Sequence, residues 1–378
     1  MQFSEILGHE HLKNHLIKSV NEGRIPHAQL FVGPEGSGTL PMAIAYAQYI
    51  VCSHNGIENT ACNLKFNTLS HPDLHFVFPT STNEKVKSKP KSIDFIKEWR
   101  EFLKENPYGN LQNWYKISSG QNKLIDIGVE DAQEVLKTLS LKSFEGGYKI
   151  MIIWMADKMN SAASNKLLKI LEEPSDKTVF ILITEQEEDI MQTIRSRCQV
   201  LHFNSLPNNI ISDALVSKHN IEEKEAYKIA HHAQGSYNKA LQLLNDDGDE
   251  YPFEKWFVSW VRTAFKAKGN ASSILDLISW SDQIAPIGRE TQVTFLNYCI
   301  ELFRQALLLN YKAEKLVYIE PTVDKFKLEN FAPFVNGNNI GEIFSELSDA
   351  IYHIERNGNA KIIFTDLSIK LTRLIHRN

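Results

Sequence analysis

The sequence has no run approaching ~18 uninterrupted apolar residues, which leaves no candidate for a membrane-spanning helix. An excess of basic charge is missing too. Its 41 Lys and Arg are outnumbered by 46 Asp and Glu, a net charge of -5, so any nucleic-acid contact has to be local or shared with partners. The opening stretch MQFSEILGHEHLKNHL puts charges and histidines where a secretion signal needs a basic segment followed by an apolar core, and the expected location is the cytoplasm. Cysteine is scarce. Cys52, Cys62, Cys198 and Cys299 are spaced too widely to suggest a disulfide framework, and the last two are expected as free buried thiols.

The most informative lack lies in GPEGSGTL, residues 33–40. Gly33, Gly36 and Gly38 keep the glycine frame of a phosphate-binding loop, G-x-x-x-x-G-K-[ST], but Thr39 stands in place of the lysine that reaches the β- and γ-phosphates. Leu40 stands in place of the hydroxyl that holds Mg²⁺. The other half of such a site is an acid pair at the tip of a later strand. Here that strand is IMIIWMAD, and its tip carries Trp154 and Met155; Asp157, two residues on, reads as a capping or loop residue. Without Lys, metal ligands and acid, the electrostatic stabilisation of phosphoryl transfer is gone, and no ATP hydrolysis by this chain alone is expected.

What is present is enough for two or three domains: 378 residues, 43% of them hydrophobic. Over the first 200 residues, short apolar runs (AQLFV, LHFVFP, YKIMIIWMA, TVFILIT) alternate with amphipathic helical patterns, the pattern of an α/β domain with a parallel sheet. NSAASNKLLKILEEP reads as a helix capped by Asn160 or Ser161 and stopped before Pro174, with Ala163, Leu167, Ile170 and Leu171 on one face. After Phe203 only short helical patterns follow, a small lid, and beyond the acidic break NDDGDEYP long amphipathic helices dominate. In one of these Phe295, Cys299, Leu302, Ala306 and Leu309 form an apolar stripe. The expected domains are 1–204 (α/β), 205–248 (helical lid) and 249–378 (all-helical). The segment STNEKVKSKPKS, 81–92, with its lysines around Pro90, is either a solvated insertion or a phosphate-touching loop.

Two arginines close the first domain, in Thr-Ile-Arg-Ser-Arg-Cys, 193–198. Arg195 and Arg197 are either ordinary surface ion pairs or a guanidinium offered to a neighbouring subunit's nucleotide.

The phrases ILGHEHLKNHLIKSVNEGRIPHAQLFVGPEGSG, HPDLHFVFP, NSAASNKLLKILEEP, TIRSRCQ, AQGSYNKAL and IERNGNAK stand in the order seen in bacterial clamp-loader subunits of the AAA+ family. The set resembles the delta-prime family of DNA polymerase III in particular. The resemblance implies an AAA+ P-loop-type parallel sheet domain, a lid and an all-α C-terminal collar. It implies a stator that binds no functional nucleotide, working within the polymerase III holoenzyme beside ATP-binding motor subunits and a clamp-opening subunit. Through that complex it would act on the sliding clamp and primer-template DNA, with no membrane partner. In the matching Ser196-Arg197-Cys198, Arg197 is the implied arginine finger, acting in trans. Thr184 falls where relatives carry a γ-phosphate sensor and Asn238 where active relatives can carry an arginine sensor. Relatives often hold zinc with four cysteines; Cys52 and Cys62 match the first two positions, but Lys65 and Thr68 occupy the others. His54, His71 and His75 are the substitutes within reach in sequence, and no zinc is expected. The competing readings are an ATP-hydrolysing motor subunit of the same complex and a non-catalytic adaptor for another DNA-processing partner.

Overall fold

A computed structural model of the chain describes residues 1–54, 57–58, 60–84, 86–118, 125–144, 147–245, 253–317 and 323–377. The chain divides into two compact units, Met1–Asn245 and Asp246–Asn378. The helices of the expected lid lie within the first unit, and the acidic break at 246–252 falls outside the described residues.

The first unit is built on five parallel strands: β1 (Ala28–Val32), β2 (Leu74–Val77), β3 (Lys149–Ile153), β4 (Thr178–Thr184) and β5 (Gln199–His202), in spatial order β2-β3-β4-β1-β5. Four of these are the apolar runs of the sequence. The fifth, QVLH, is an addition to that reading. It pairs with β1, Leu30 opposite Val200, on the outer edge, where only Leu201 is fully buried. The helices are α1 (Glu10–Asn21), α2 (Thr39–Cys52), α3 (Thr60–Asn67), α4 (Ile96–Glu105), α5 (Leu111–Ser118), α6 (Val129–Ser140), α7 (Ser161–Glu172) and α8 (Gln192–Arg195). The strands' alternation sorts these into two layers. Phe31, Phe76, Ile150, Ile152, Ile181 and Ile183 pack with α1 to α5, while Leu30, Val77, Met151, Ile153, Phe180 and Leu182 pack with α6, α7 and α8. Every residue of α2 from Leu40 to Gln48 is buried, as expected of a helix apolar on all sides. In α7 the Asn160 carboxamide accepts from the Ala163 amide at 2.9 Å, and Ala163, Leu167 and Leu171 are the buried face.

Three short helices complete the unit: α9 (Asn208–His219), α10 (Glu223–His232) and α11 (Tyr237–Asn245). Their small core of Ile211, Leu215, Ile229, Ala230 and Ala240 also takes in Tyr108, from the loop after α4.

One expectation about cysteine is corrected. Cys52 and Cys62 are bonded to each other, with Cα atoms 5.5 Å apart, because Cys52 ends α2 and a tight hairpin (Ser53–His54 with Ile57–Glu58) brings α3 straight back beside it. Cys198 and Cys299 are the free thiols.

The described helices of the second unit are α12 (Phe253–Lys266), α13 (Ala271–Ile284), α14 (Arg289–Asn310), α15 (Leu328–Phe331), α16 (Ile340–Glu355) and α17 (Ala360–Leu374), with short 3-10 segments between α14 and α16. Phe295, Cys299, Leu302 and Ala306, the stripe read from the sequence, are fully buried inside this unit against residues such as Trp260, Phe331 and Phe364, and Leu309 is partly buried beside them. That stripe therefore supplies the unit's own core. Trp260 stacks on Trp280 at 5.0 Å and donates its indole N–H to Ser368 Oγ at 2.8 Å, which satisfies the one polar atom of a fully buried ring.

Candidate functional site

The glycine loop runs from the end of β1 into α2, at the C-terminal edge of the sheet where parallel α/β folds place ligands. Two of its glycines meet a geometric need. Gly36 and Gly38 have φ of 69° and 101°, the left-handed region. A side chain at Gly38 would lie 3.1 Å from the Tyr108 ring. The backbone of the loop is tied into its surroundings: Gly33 N–H donates to the Thr184 carbonyl (3.1 Å), the Gly36 carbonyl accepts from Tyr237 N–H of the lid (3.1 Å), and the Ser37 carbonyl lies 2.8 Å from His9 Nε2.

Above the loop little room remains. Gly33 to Gly36, Gly38 to Pro41, Pro107 to Asn110, Trp154, Met155 and Ile183 to Glu185 line a partly open space of about 20 Å³, far below the roughly 300–1,000 Å³ typical of ligand pockets. Tyr108 does much of the closing: its ring lies over Gly38 and its hydroxyl accepts from Leu7 N–H at 2.9 Å. The lid closes the other side. Asn238, fully buried, donates to the Glu35 carboxylate at 2.9 Å and accepts from the Asn106 side chain at 2.6 Å. The Asn238 amide thus links the loop to the short helices that follow.

The charge around this space is of the wrong sign for phosphate. Glu185 stands at an exposed position, where partial burial of its carboxyl, with the Glu35 and Asp157 carboxylates adding to it, pushes the group up to about 7. The folded protein therefore holds this proton more tightly than the unfolded chain, and Glu185 costs a small amount of stability as pH rises from its ordinary 4.5 towards 7, most of the effect being screened by solvent. Glu185→Gln is expected to remove that loss. Urea unfolding across pH should show the variant gaining on the parent between these two values and holding a constant advantage above them, and parallel curves would contradict the assignment.

The strand tip is equally changed. Trp154, 2% exposed, packs its ring 5.0 Å from Trp99 and 5.9 Å from Phe102. Met155 follows at φ 54°, turning the chain into a short 3-10 segment. The Thr184 hydroxyl donates to Asp157 (3.2 Å) and to the Gln186 carbonyl (3.0 Å), the bonds of a strand-end residue. Thr39 is half-buried, and Leu40 is in the core. Sequence reasoning found Gly33, Gly36, Gly38, Thr39, Leu40, Trp154 and Met155, all of which the fold gathers here. It missed Glu35, Asn106, Tyr108 and Glu185. The odd tyrosine after Asn106-Pro107 was the one local signal.

The basic rim lies at the end of α8. Arg197 is ion-paired with Glu172, at the C-terminus of α7 (3.2 Å), and donates to the Thr193 carbonyl at 2.8 Å. Arg195 faces Glu187 at 3.5 Å. Ser196 bonds back to Thr193 O at 3.2 Å, and burial pushes the Cys198 thiol up to about 11, so it stays protonated and serves packing.

The zinc-module positions carry a different arrangement. The sulfurs of Cys52 and Cys62 are joined to each other, and among the described residues no group of three or more His, Cys, Asp or Glu is placed to hold a metal ion. His54's side chain lies outside the described set; His71 is buried and burial lowers the affinity of His75 for a proton. In the basic segment, Lys89 and Lys91 lie 3.6 Å and 3.3 Å from Glu130 and Glu134, and Lys85 is outside the described residues.

Comparison with known proteins follows the same lines. A family model described as DNA polymerase III, delta subunit, matches residues 8–207, more than half of the chain. The DNA polymerase III delta-prime subunit of Bacillus subtilis is 31% identical over 206 residues, covering 54% of this chain and 50% of that protein. The delta-prime subunit of Haemophilus influenzae is 26% identical, covering 56% and 52%, and the tau/gamma subunit of the same organism 27% identical, covering 64% and 30%. The chain thus spans about half the length, or less, of the curated relatives it matches. Among solved structures, a gamma-subunit-related protein of Thermotoga maritima aligns over 96% of this chain and 99% of its own at 14% identity and a TM-score of 0.44, too loose a likeness to argue from. The match over 8–207, which takes in the altered loop, the strand tip and the Ser-Arg-Cys rim, places this chain in the DNA polymerase III delta and delta-prime subunit family.

Proposed function

We propose that this chain is a non-hydrolysing stator subunit of a DNA polymerase III clamp loader. It holds its place in a ring of related subunits, supplies Arg197 to the ATP bound by a neighbour, and so takes part in loading a sliding clamp onto primer-template DNA. The observation that carries this reading is the contrast between the two charged ends of the domain. The loop is covered by Tyr108 and lined by Glu35 and Glu185, while Arg197 stands at the rim, 31% exposed, held by the Thr193 carbonyl and paired with a carboxylate that is itself 59% exposed. An arginine so placed can exchange Glu172 for a phosphate at small cost, since exposed ion pairs contribute about 0–1 kcal/mol. Its fork then meets two γ-phosphate oxygens and offsets the charge that develops as the bond to the leaving phosphate breaks.

The similarity to tau and gamma subunits would also suit a motor subunit. Thr39, Leu40 and Trp154 speak against it, because they remove lysine, metal ligand and acid together. A titration of the purified chain with ATP and Mg²⁺ followed by calorimetry separates the two. No saturable heat and no phosphate release above a blank are expected up to millimolar ATP; turnover would establish the motor reading instead.

A further inference from the structure

Several cations of the second unit are neutralised by carboxylates of the same unit. Lys361 lies 2.7 Å from Asp282, Lys370 lies 2.8 Å from both Glu346 and Asp366, Arg304 lies 3.1 Å from Glu301, and Arg377 is paired with Glu342. The outer face of α12 is different. Phe257, Val258, Trp260, Val261 and Ala264 turn into the core, which leaves Lys255, Ser259, Arg262 and Lys266 in one exposed row, spaced by four, three and four residues. No Asp or Glu follows Lys255 until Asp276, and Lys268 adds an exposed cation just past the helix end.

A second segment widens the row. The Arg262 guanidinium sits 5.9 Å from the centre of the Phe326 ring, and that ring packs 6.3 Å from Phe257. Phe326 thereby anchors the turn Val323–Lys325 beside α12, and the residues on either side of it, Lys325 and Lys327, are exposed. Glu254 is already engaged: its carboxylate accepts from Val323 N–H at 2.6 Å and ties the turn to the start of α12. The exposed Glu329 lies at the margin, two residues beyond Lys327. Among the described residues no carboxylate stands within ion-pair reach of Lys255, Lys266, Lys325 or Lys327.

At about 1.5 Å per residue the row from Lys255 to Lys266 is about 16.5 Å long, the axial length of about five phosphates on one strand of a duplex. A line of cations without a pocket or an acid among them fits a repeating polyanion better than a single phosphate. The exposed aromatic nearby is not free to stack on bases, since Phe265 packs on Phe334 and His376, each 4.8 Å away; this favours a paired duplex over a single strand. We propose that this face of the second unit binds the phosphate backbone of double-stranded DNA, without regard to sequence, through Lys255, Arg262, Lys266, Lys325 and Lys327. The choice of DNA among polyanions rests on the clamp-loader reading, while the surface itself uses no residue of the altered loop or of the Ser-Arg-Cys rim.

The probe is a fluorescein-labelled duplex of about 20 base pairs, titrated with the full chain and read by polarisation across a series of salt concentrations. Saturable binding is expected at roughly 1–100 μM in about 50 mM salt, with log K falling against log salt at a slope of about -4. Lys255→Ala with Lys266→Ala, both at exposed positions, should weaken binding about 10-fold and make the slope shallower by about 2, and Lys325→Ala with Lys327→Ala should do the same. Lys224→Ala with Lys228→Ala, exposed on α10, removes the same charge and should leave both values near the parent's. No saturable binding below about 1 mM, an equal loss in the α10 variant, or an unchanged slope in the two α12-face variants overturns the proposal. Displacement of the labelled duplex by poly-glutamate as readily as by unlabelled DNA, charge for charge, overturns it in favour of an acidic protein segment. None of these outcomes bears on ATP turnover opposite Arg197, which tests the stator reading separately.

Discussion

Trp154→Asp, which returns an acid to the strand tip, is expected to destabilise the first unit by on the order of 3–5 kcal/mol rather than to restore an ATP site. The ring is 2% exposed and packs against Trp99 and Phe102, which in turn contact Phe78 and Trp114. Aspartate would leave a cavity in this aromatic cluster and bury an unpaired carboxylate among Trp99 and Phe102. Against a typical total of about 5–15 kcal/mol, that loss is large enough to shift a urea midpoint well outside error. Trp154→Phe, which keeps an aromatic ring, should cost far less. Adding Thr39→Lys and Leu40→Thr to the aspartate variant is expected to give no ATP binding, because Tyr108 still covers Gly38 and Leu40 belongs to the core that α2 presents to the sheet. A Trp154→Asp protein within about 1 kcal/mol of the parent would mean that the strand tip is not held by this cluster.

Most of the fold was legible because its elements are patterned locally. β1, β3 and β4 are largely apolar, fully buried runs, and α7 announces itself by an Asn cap, a 3.6-residue stripe and a proline stop. β5 escaped because it is four residues long and half-exposed, so no alternation stands out. The Cys52–Cys62 bond escaped because ten residues of separation say nothing about the hairpin that folds α3 back. At the site, what was missing could be read position by position in Thr39, Leu40, Trp154 and Met155. What fills the gap could not. Tyr108 reaches Leu7 across 101 positions and Asn238 reaches Glu35 across 203, and no short-range pattern encodes such contacts.

Arg197→Ala should leave the isolated chain folded and the complex assembled, while turnover at the one ATP site facing it falls on the order of 10³-fold. The structural cost is small: the side chain's ties are an ion pair to half-exposed Glu172 and a bond to the Thr193 carbonyl at its own helix end. On the proposed finger role the kinetic effect is large because the guanidinium would act only where charge builds up in the transition state. Arg197→Lys should recover little, since an ammonium cannot span two phosphate oxygens. Arg195→Ala is the internal control. Its guanidinium is turned to Glu187, which also lies 3.4 Å from His202, so it belongs to the domain's own surface and its loss should leave turnover near the parent value. Single-turnover hydrolysis in the reconstituted complex, with the other ATP sites disabled, isolates the facing site from the rest of the ring. A wild-type rate for Arg197→Ala, or a larger loss for Arg195→Ala, would move the finger to Arg195 or remove it from this chain altogether.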